Sequence, residues 1–103
     1  MPDGERCWLV VPYSLTVNDS KFWRGGLVTG NDFFQAMKET FDTLYEEGAT
    51  TPRMMNVGLH CRITGQPGCA NGLDRIIAYA QGHPNVWFAG RSDIARTWQE
   101  QFP

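Results

Sequence analysis

The sequence predicts an α/β architecture of three successive β/α units with parallel strands. Two observations predict it. Short runs rich in β-branched, aromatic and other apolar residues alternate with longer stretches whose apolar residues recur at helical spacing, in the order β-α-β-α-β-α. That order in turn implies parallel strands joined by right-handed crossovers. At 103 residues there is room for one domain with a modest core, spanning residues 1–103. No internal repeat or low-complexity segment interrupts it.

Cys7-Trp8-Leu9-Val10-Val11, closed by Pro12, reads as a strand buried on both faces. A long polar, Gly-containing connection follows from Ser14 to Gly30. Thr29 and Asp32 then form a capping pattern ahead of Phe33, Phe34, Met37, Phe41, Leu44 and Tyr45, which share one helical face. Gly48 is the expected stop. The second strand is Met54 to Leu59, and Gly65 to Gly68 form a loop beyond it. Leu73, Ile76, Ile77 and Ala80 mark a second amphipathic helix ending at Gly82, with Pro84 just past it. Val86-Trp87-Phe88-Ala89 is a short third strand. Ser92 caps a last helix whose buried stripe is Ile94, Ala95, Trp98 and Phe102.

Composition narrows the function. Apolar residues make up 42% and aromatics 13%, including four Trp and six Phe, which is a globular balance. A net charge of −2, with no basic stripe, gives no footprint for nucleic acid or an anionic membrane. The opening Met-Pro-Asp-Gly-Glu-Arg lacks the chemistry of a signal peptide, and the run from Cys7 to Val11 is too short to span a bilayer. Cys7, Cys61 and Cys69 are odd in number and contain no CxxC pair. Neither a disulfide framework nor a structural zinc site is expected, and a reduced cytoplasmic protein is.

Chemistry concentrates between Met54 and Gly68, where an apolar run delivers His60 to the carboxyl end of a strand. Parallel sheets keep their ligands at that edge. His60 is either a hydrogen-bonded structural residue or a general acid–base group, since imidazole titrates near neutral pH. Asn18 and Asp19 follow the first strand on the same edge. They read as an Asx turn, or as a carboxylate that orients His60 or a substrate amide. His83 precedes the third strand and belongs to the opposite edge, so the two histidines cannot share a metal. His60-Cys61-Arg62 does not fit a phosphatase loop, because Thr64 and Pro67 replace the Gly and Arg such a loop needs. Cys69, near a helix start, is either a lowered-pKa thiol or a small residue packed on the sheet.

Several of these stretches together carry a resemblance. Val11-Pro12-Tyr13-Ser14-Leu15 through Asn18-Asp19, the Thr29-to-Phe34 helix start and Met55-Asn56-Val57-Gly58-Leu59-His60-Cys61-Arg62 resemble the C-terminal third of the polysaccharide deacetylase (NodB-homology) family. Gly65-Gln66-Pro67-Gly68, Val86-Trp87-Phe88 and Asp93-Ile94-Ala95-Arg96 continue the match, which is best with the allantoinase-like branch. The resemblance implies a fragment of a deformed (β/α) barrel and hydrolysis of carbon–nitrogen bonds in non-peptide amides. It implies that Leu59 lines the pocket and that His60 protonates the leaving nitrogen. Cys69 departs from the pattern, which has Arg after Pro-Gly. The family's Asp-rich base motif, paired metal-ligand histidines and Arg-containing strand are absent from this sequence.

The resulting expectations are specific. His60 and Asp19 are the catalytic candidates, and Leu59, Asn18, Tyr13 and Arg62 the substrate-binding ones. The chain itself supplies no cofactor or metal site, and zinc is compatible only with the complete family fold. The substrate is a small amide or N-acetyl compound. The partner is a missing N-terminal segment or a second copy in a homo-oligomer, with no nucleic acid and no membrane. The alternative is a non-catalytic remnant or interaction module that keeps the fold.

Overall fold

A computed structural model describes residues 2–3, 6–7, 10–11, 17–22, 27 and 29–102. Among them are four helices: α1 (Gly30–Glu47), α2 (Cys61–Thr64), α3 (Pro67–Gln81) and α4 (Arg91–Gln101). A two-residue antiparallel ladder joins β1 (Pro2–Asp3) to β2 (Arg6–Cys7), and a 3-10 turn spans Asp19–Phe22.

Helix α1 forms where its pattern places it. The Thr29 side chain accepts from the Asp32 N–H at 3.1 Å, and the Asp32 carboxylate accepts from the Thr29 N–H at 2.9 Å. This reciprocal cap satisfies two of the amides that a helix start leaves unpaired. Phe33, Met37 and Phe41 are the buried residues, one turn apart, and Gly48 closes the helix with its N–H on Leu44 O. Helix α3 ends at Gly82, as the pattern predicts, but it begins earlier than expected. Pro67 and Gly68 are its first two residues rather than loop. Proline is suited to a first turn because its missing N–H would be unpaired there in any case.

The core lies between these two helices. Leu27, Phe33, Met37 and Ile76 form its buried centre, with Val17, Met55, Val57, Leu73 and Tyr79 packed around it. Ile77, expected on the buried stripe, is exposed. Phe41 is buried as expected, but against rings rather than a sheet: Tyr45, Tyr79 and His83 lie 5.6, 5.7 and 5.0 Å from it between centroids. The helices approach most closely where two glycines meet. A Cβ on Gly72 would stand 2.3 Å from Gly30 O, and one on Gly30 would stand 2.1 Å from Gly68 O. Only a hydrogen at these positions lets the backbones touch.

The predicted parallel sheet has one described contact. Asn18 and Gly58 form a parallel bridge, with Asp19 N–H on Gly58 O at 2.9 Å and Gly58 N–H on Val17 O at 2.8 Å. Otherwise residues 54–59 and 86–89 form no ladder among the described residues. Cys7 pairs antiparallel and Val10 is 81% exposed, so neither shows the parallel strand buried on both faces that is expected from Cys7 to Val11. Trp8, Leu9 and Pro12 lie outside the described residues.

The last helix differs in the same way. Gly90, not Ser92, is its N-cap, and the Asp93 carboxylate accepts from the Gly90 N–H at 3.2 Å. None of its residues is buried: Trp98 and Phe102, 54% and 59% exposed, stack on each other at 4.5 Å with no described layer over them. Trp87 and Phe88 are also exposed.

The glycine crossing gives a direct test. Helix propensity favours Gly72→Ala by about 0.8–1.0 kcal/mol, whereas forcing a methyl into a packed contact costs about 1–3 kcal/mol. The contact with Gly30 O is backbone and cannot swing aside, so the clash outweighs the propensity gain and a net loss of up to about 2 kcal/mol is expected in denaturant unfolding. A midpoint equal to or above the parent's would contradict this packing.

Candidate functional site

The parallel bridge sets the register of the site. Asn18 pairs with Gly58, so Asp19 stands one residue past the bridge on one segment and His60 two residues past it on the other. Asn18 is buried, and its side-chain oxygen accepts from the Ser20 N–H at 2.8 Å, which is the Asx turn. Asp19, fully buried, turns its carboxylate toward His60.

Both carboxylate oxygens are engaged. Oδ1 lies 2.7 Å from His60 Nδ1, and Oδ2 accepts from the His60 backbone N–H at 2.7 Å. Oδ2 also accepts the hydroxyl of Thr64, itself buried. Burial pushes the Asp19 carboxyl upward. The donors from His60 N–H, Thr64 and the His60 ring outweigh that effect and leave it below the ordinary carboxylate value. Asp19 is therefore ionised at neutral pH and can only accept, so Nδ1 of His60 must carry a proton. Nε2 makes no hydrogen bond among the described residues, and the side chain is 36% exposed. One ring nitrogen is held by Asp19, and the side chain keeps part of its surface exposed.

Helix α2 makes the clamp short and rigid. His60 is its N-cap, and its carbonyl accepts from Ile63 N–H at 2.9 Å and Thr64 N–H at 3.0 Å. Ile63 is buried and pins the turn. The sequence pattern predicts a loop after His60, and this single turn escaped it because four residues carry no helical periodicity. Thr64 was missed as a site residue for the same reason. The available signal was its position four residues after His60, one helical turn on.

The other candidates divide. Asn18 is structural in its contacts, as the Asx-turn reading has it. Leu59 and Arg62 are exposed beside His60 in the chain, where a bound molecule could reach them. Tyr13 lies outside the described residues. Cys61 is exposed and Cys69 half-buried. His83 is remote in role: its Nδ1 is 2.8 Å from Tyr79 O, inside the aromatic cluster on α1 and α3. Among the described residues no group of three His, Cys, Asp or Glu could hold a metal. No helix among them is long and apolar enough to cross a membrane.

Comparison with known proteins places this geometry. No family model matches the chain. Over 103 residues it is 42% identical to a Schizosaccharomyces pombe protein whose name places it among the polysaccharide deacetylases. That match covers 98% of this chain and 32% of the yeast protein. The crystal structure of a Pseudomonas aeruginosa protein, described as a probable polysaccharide deacetylase, superposes with a TM-score of 0.87 at 51% identity. The crystal structure of Puue allantoinase superposes with the same TM-score, 0.87, at 47% identity. Each superposition covers 90% of this chain and 31% of the other. The chain shares the fold of one part of these proteins. It spans about a third of the length of the relatives it matches.

The clamp predicts a pH dependence. Asp19 is lowered from 3.8 in the folded state, so its contribution to stability is present above that value and lost as pH falls through the folded one. Asp19→Asn removes the charge and turns an amide N–H2 toward existing donors, at an expected cost of about 2–3 kcal/mol at pH 7. In urea unfolding at pH 7 and pH 2.5, the parent is expected to lose more stability on acidification than the variant. Equal losses would show that Asp19 is not held in this way.

Proposed function

We propose that this chain is part of a hydrolase of non-peptide carbon–nitrogen bonds, of the polysaccharide deacetylase and allantoinase kind. It corresponds to the C-terminal third of such a protein, in which residues 54–59 and 86–89 are strands of a deformed (β/α) barrel. The observation that carries this reading is the fully buried Asp19 holding His60 by both its ring and its backbone N–H. The His60 ring is fixed at Nδ1, and Nε2 makes no hydrogen bond among the described residues. The similarity at 42–51% identity to proteins named for these activities supports the reaction class.

In this reading water adds to the carbonyl carbon of a small amide or N-acetyl substrate, and the carbon–nitrogen bond of the resulting tetrahedral species then breaks. The departing nitrogen takes a proton from Nε2 of the doubly protonated His60 ring. Asp19 stays ionised, fixes the ring's orientation and balances its charge while the proton is in place. Leu59, Arg62 and Tyr13 contribute to the pocket wall. The base that activates the water, and any metal, are supplied from outside this chain, by the remainder of the fold or a second copy.

General acid catalysis contributes about 10²–10⁴-fold but needs an activated water to act on. The chain alone is therefore expected to turn over neither allantoin nor N-acetylated sugars, with or without zinc. Mixed with the remaining two thirds of the Pseudomonas aeruginosa relative, it is expected to restore hydrolysis, and His60→Ala to abolish it. Turnover by the isolated chain that survives His60→Ala would overturn the proposal. A complex that forms but stays inactive would favour a non-catalytic remnant.

A further inference from the structure

The Asp19–His60 pair has a third member that neither the sequence pattern nor the proposed reaction uses. Thr64 donates its hydroxyl to Asp19 Oδ2, the oxygen that also accepts the His60 backbone N–H. It is buried, and its own N–H is bonded to the His60 carbonyl at 3.0 Å. The residue that carries the hydroxyl is thus fixed relative to His60 by one turn of backbone. Gly65 N–H closes that turn on Cys61 O at 2.9 Å.

We propose that Thr64 is the positioning residue of this site: its hydroxyl holds the Asp19 carboxylate in the plane that presents Oδ1 to His60 Nδ1. The argument is geometric. A carboxylate gripped by only one N–H at Oδ2 can rotate about its Cβ–Cγ bond, because such sp3–sp2 torsions are broad. A second donor at Oδ2, tied to the His60 backbone by one helical turn, removes that freedom. With the plane fixed, Oδ1 has one direction in which to accept, and the ring is held in it. Residues that orient the partner of a catalytic histidine act through that partner and touch no substrate. Thr64 belongs to that class.

The inference rests on the proposed reaction only for its effect on rate, and its structural content is tested independently. Thr64→Val keeps the branched shape and removes the donor, while Thr64→Ser keeps the donor. In the intact chain, the Asp19 carboxyl carbon and the His60 ring nitrogens are followed by NMR against pH. Thr64→Val is expected to move the Asp19 titration up toward the ordinary carboxylate range and to mix the two His60 tautomers, and Thr64→Ser to restore both. A folded Thr64→Val protein with Asp19 and His60 unchanged would overturn the proposal, as would Thr64→Ser behaving like Thr64→Val. Should Thr64→Val fail to fold, Thr64→Ala compared with Thr64→Ser decides the same question. In the reconstituted hydrolase, Thr64→Val is expected to lower kcat about tenfold with KM unchanged. A loss confined to KM would contradict a positioning role, whereas no hydrolysis by any mixture, parent included, would fail the reaction and leave the NMR result to judge Thr64.

Discussion

A buried carboxylate governs this structure. Asp19 has no exposure to solvent, and an uncompensated charge there would cost several kcal/mol. Three donors offset that cost, and all three come from one stretch of five residues: the His60 N–H, the His60 ring and the Thr64 hydroxyl. The concentration of donors ties two segments forty-one positions apart to each other. It also requires α2 to exist, because without that turn Thr64 could not reach back. The local fold around His60 is therefore the solution to burying Asp19, and it fixes the His60 ring at Nδ1.

The remainder of the described chain supplies a platform for that arrangement. Helices α1 and α3 meet through Gly30, Gly68 and Gly72, close enough that the backbones touch, and the 54–59 segment packs Met55 and Val57 against them. His60 follows directly from that anchored segment. Away from this platform the packing thins. Trp87, Phe88, Trp98 and Phe102 are exposed together, an arrangement that leaves much apolar area in water at about 25 cal/mol per Å².

What the sequence could show depended on the range of the interaction. Helix α1 was legible because its cap, its stripe and its stop are local: Thr29, Asp32 and Gly48 act within a turn of where they stand. The end of α3 was legible for the same reason. Its start was not, because Gly65 to Gly68 read as a loop until Pro67 is recognised as a first-turn residue. Burial was harder still. The spacing of Trp98 and Phe102 is truly amphipathic, but a stripe shows only that a helix has an apolar face, not that this chain covers it. The pairing of Asp19 with His60 was available as one of two readings, since both follow apolar runs. Thr64 was not, because its role depends on a single turn that has no period to detect.

The account is tested most directly by the protonation pattern of His60. The intact chain, labelled with 15N in its histidines, is observed by long-range proton–nitrogen correlation at a pH where the His60 ring is neutral. An ionised Asp19 that only accepts requires the proton on Nδ1 and leaves Nε2 bare. The expected spectrum is a single Nδ1–H tautomer for His60, lost in Asp19→Asn. A proton on Nε2, or a mixture of tautomers that Asp19→Asn leaves unchanged, would contradict the clamp on which the rest depends.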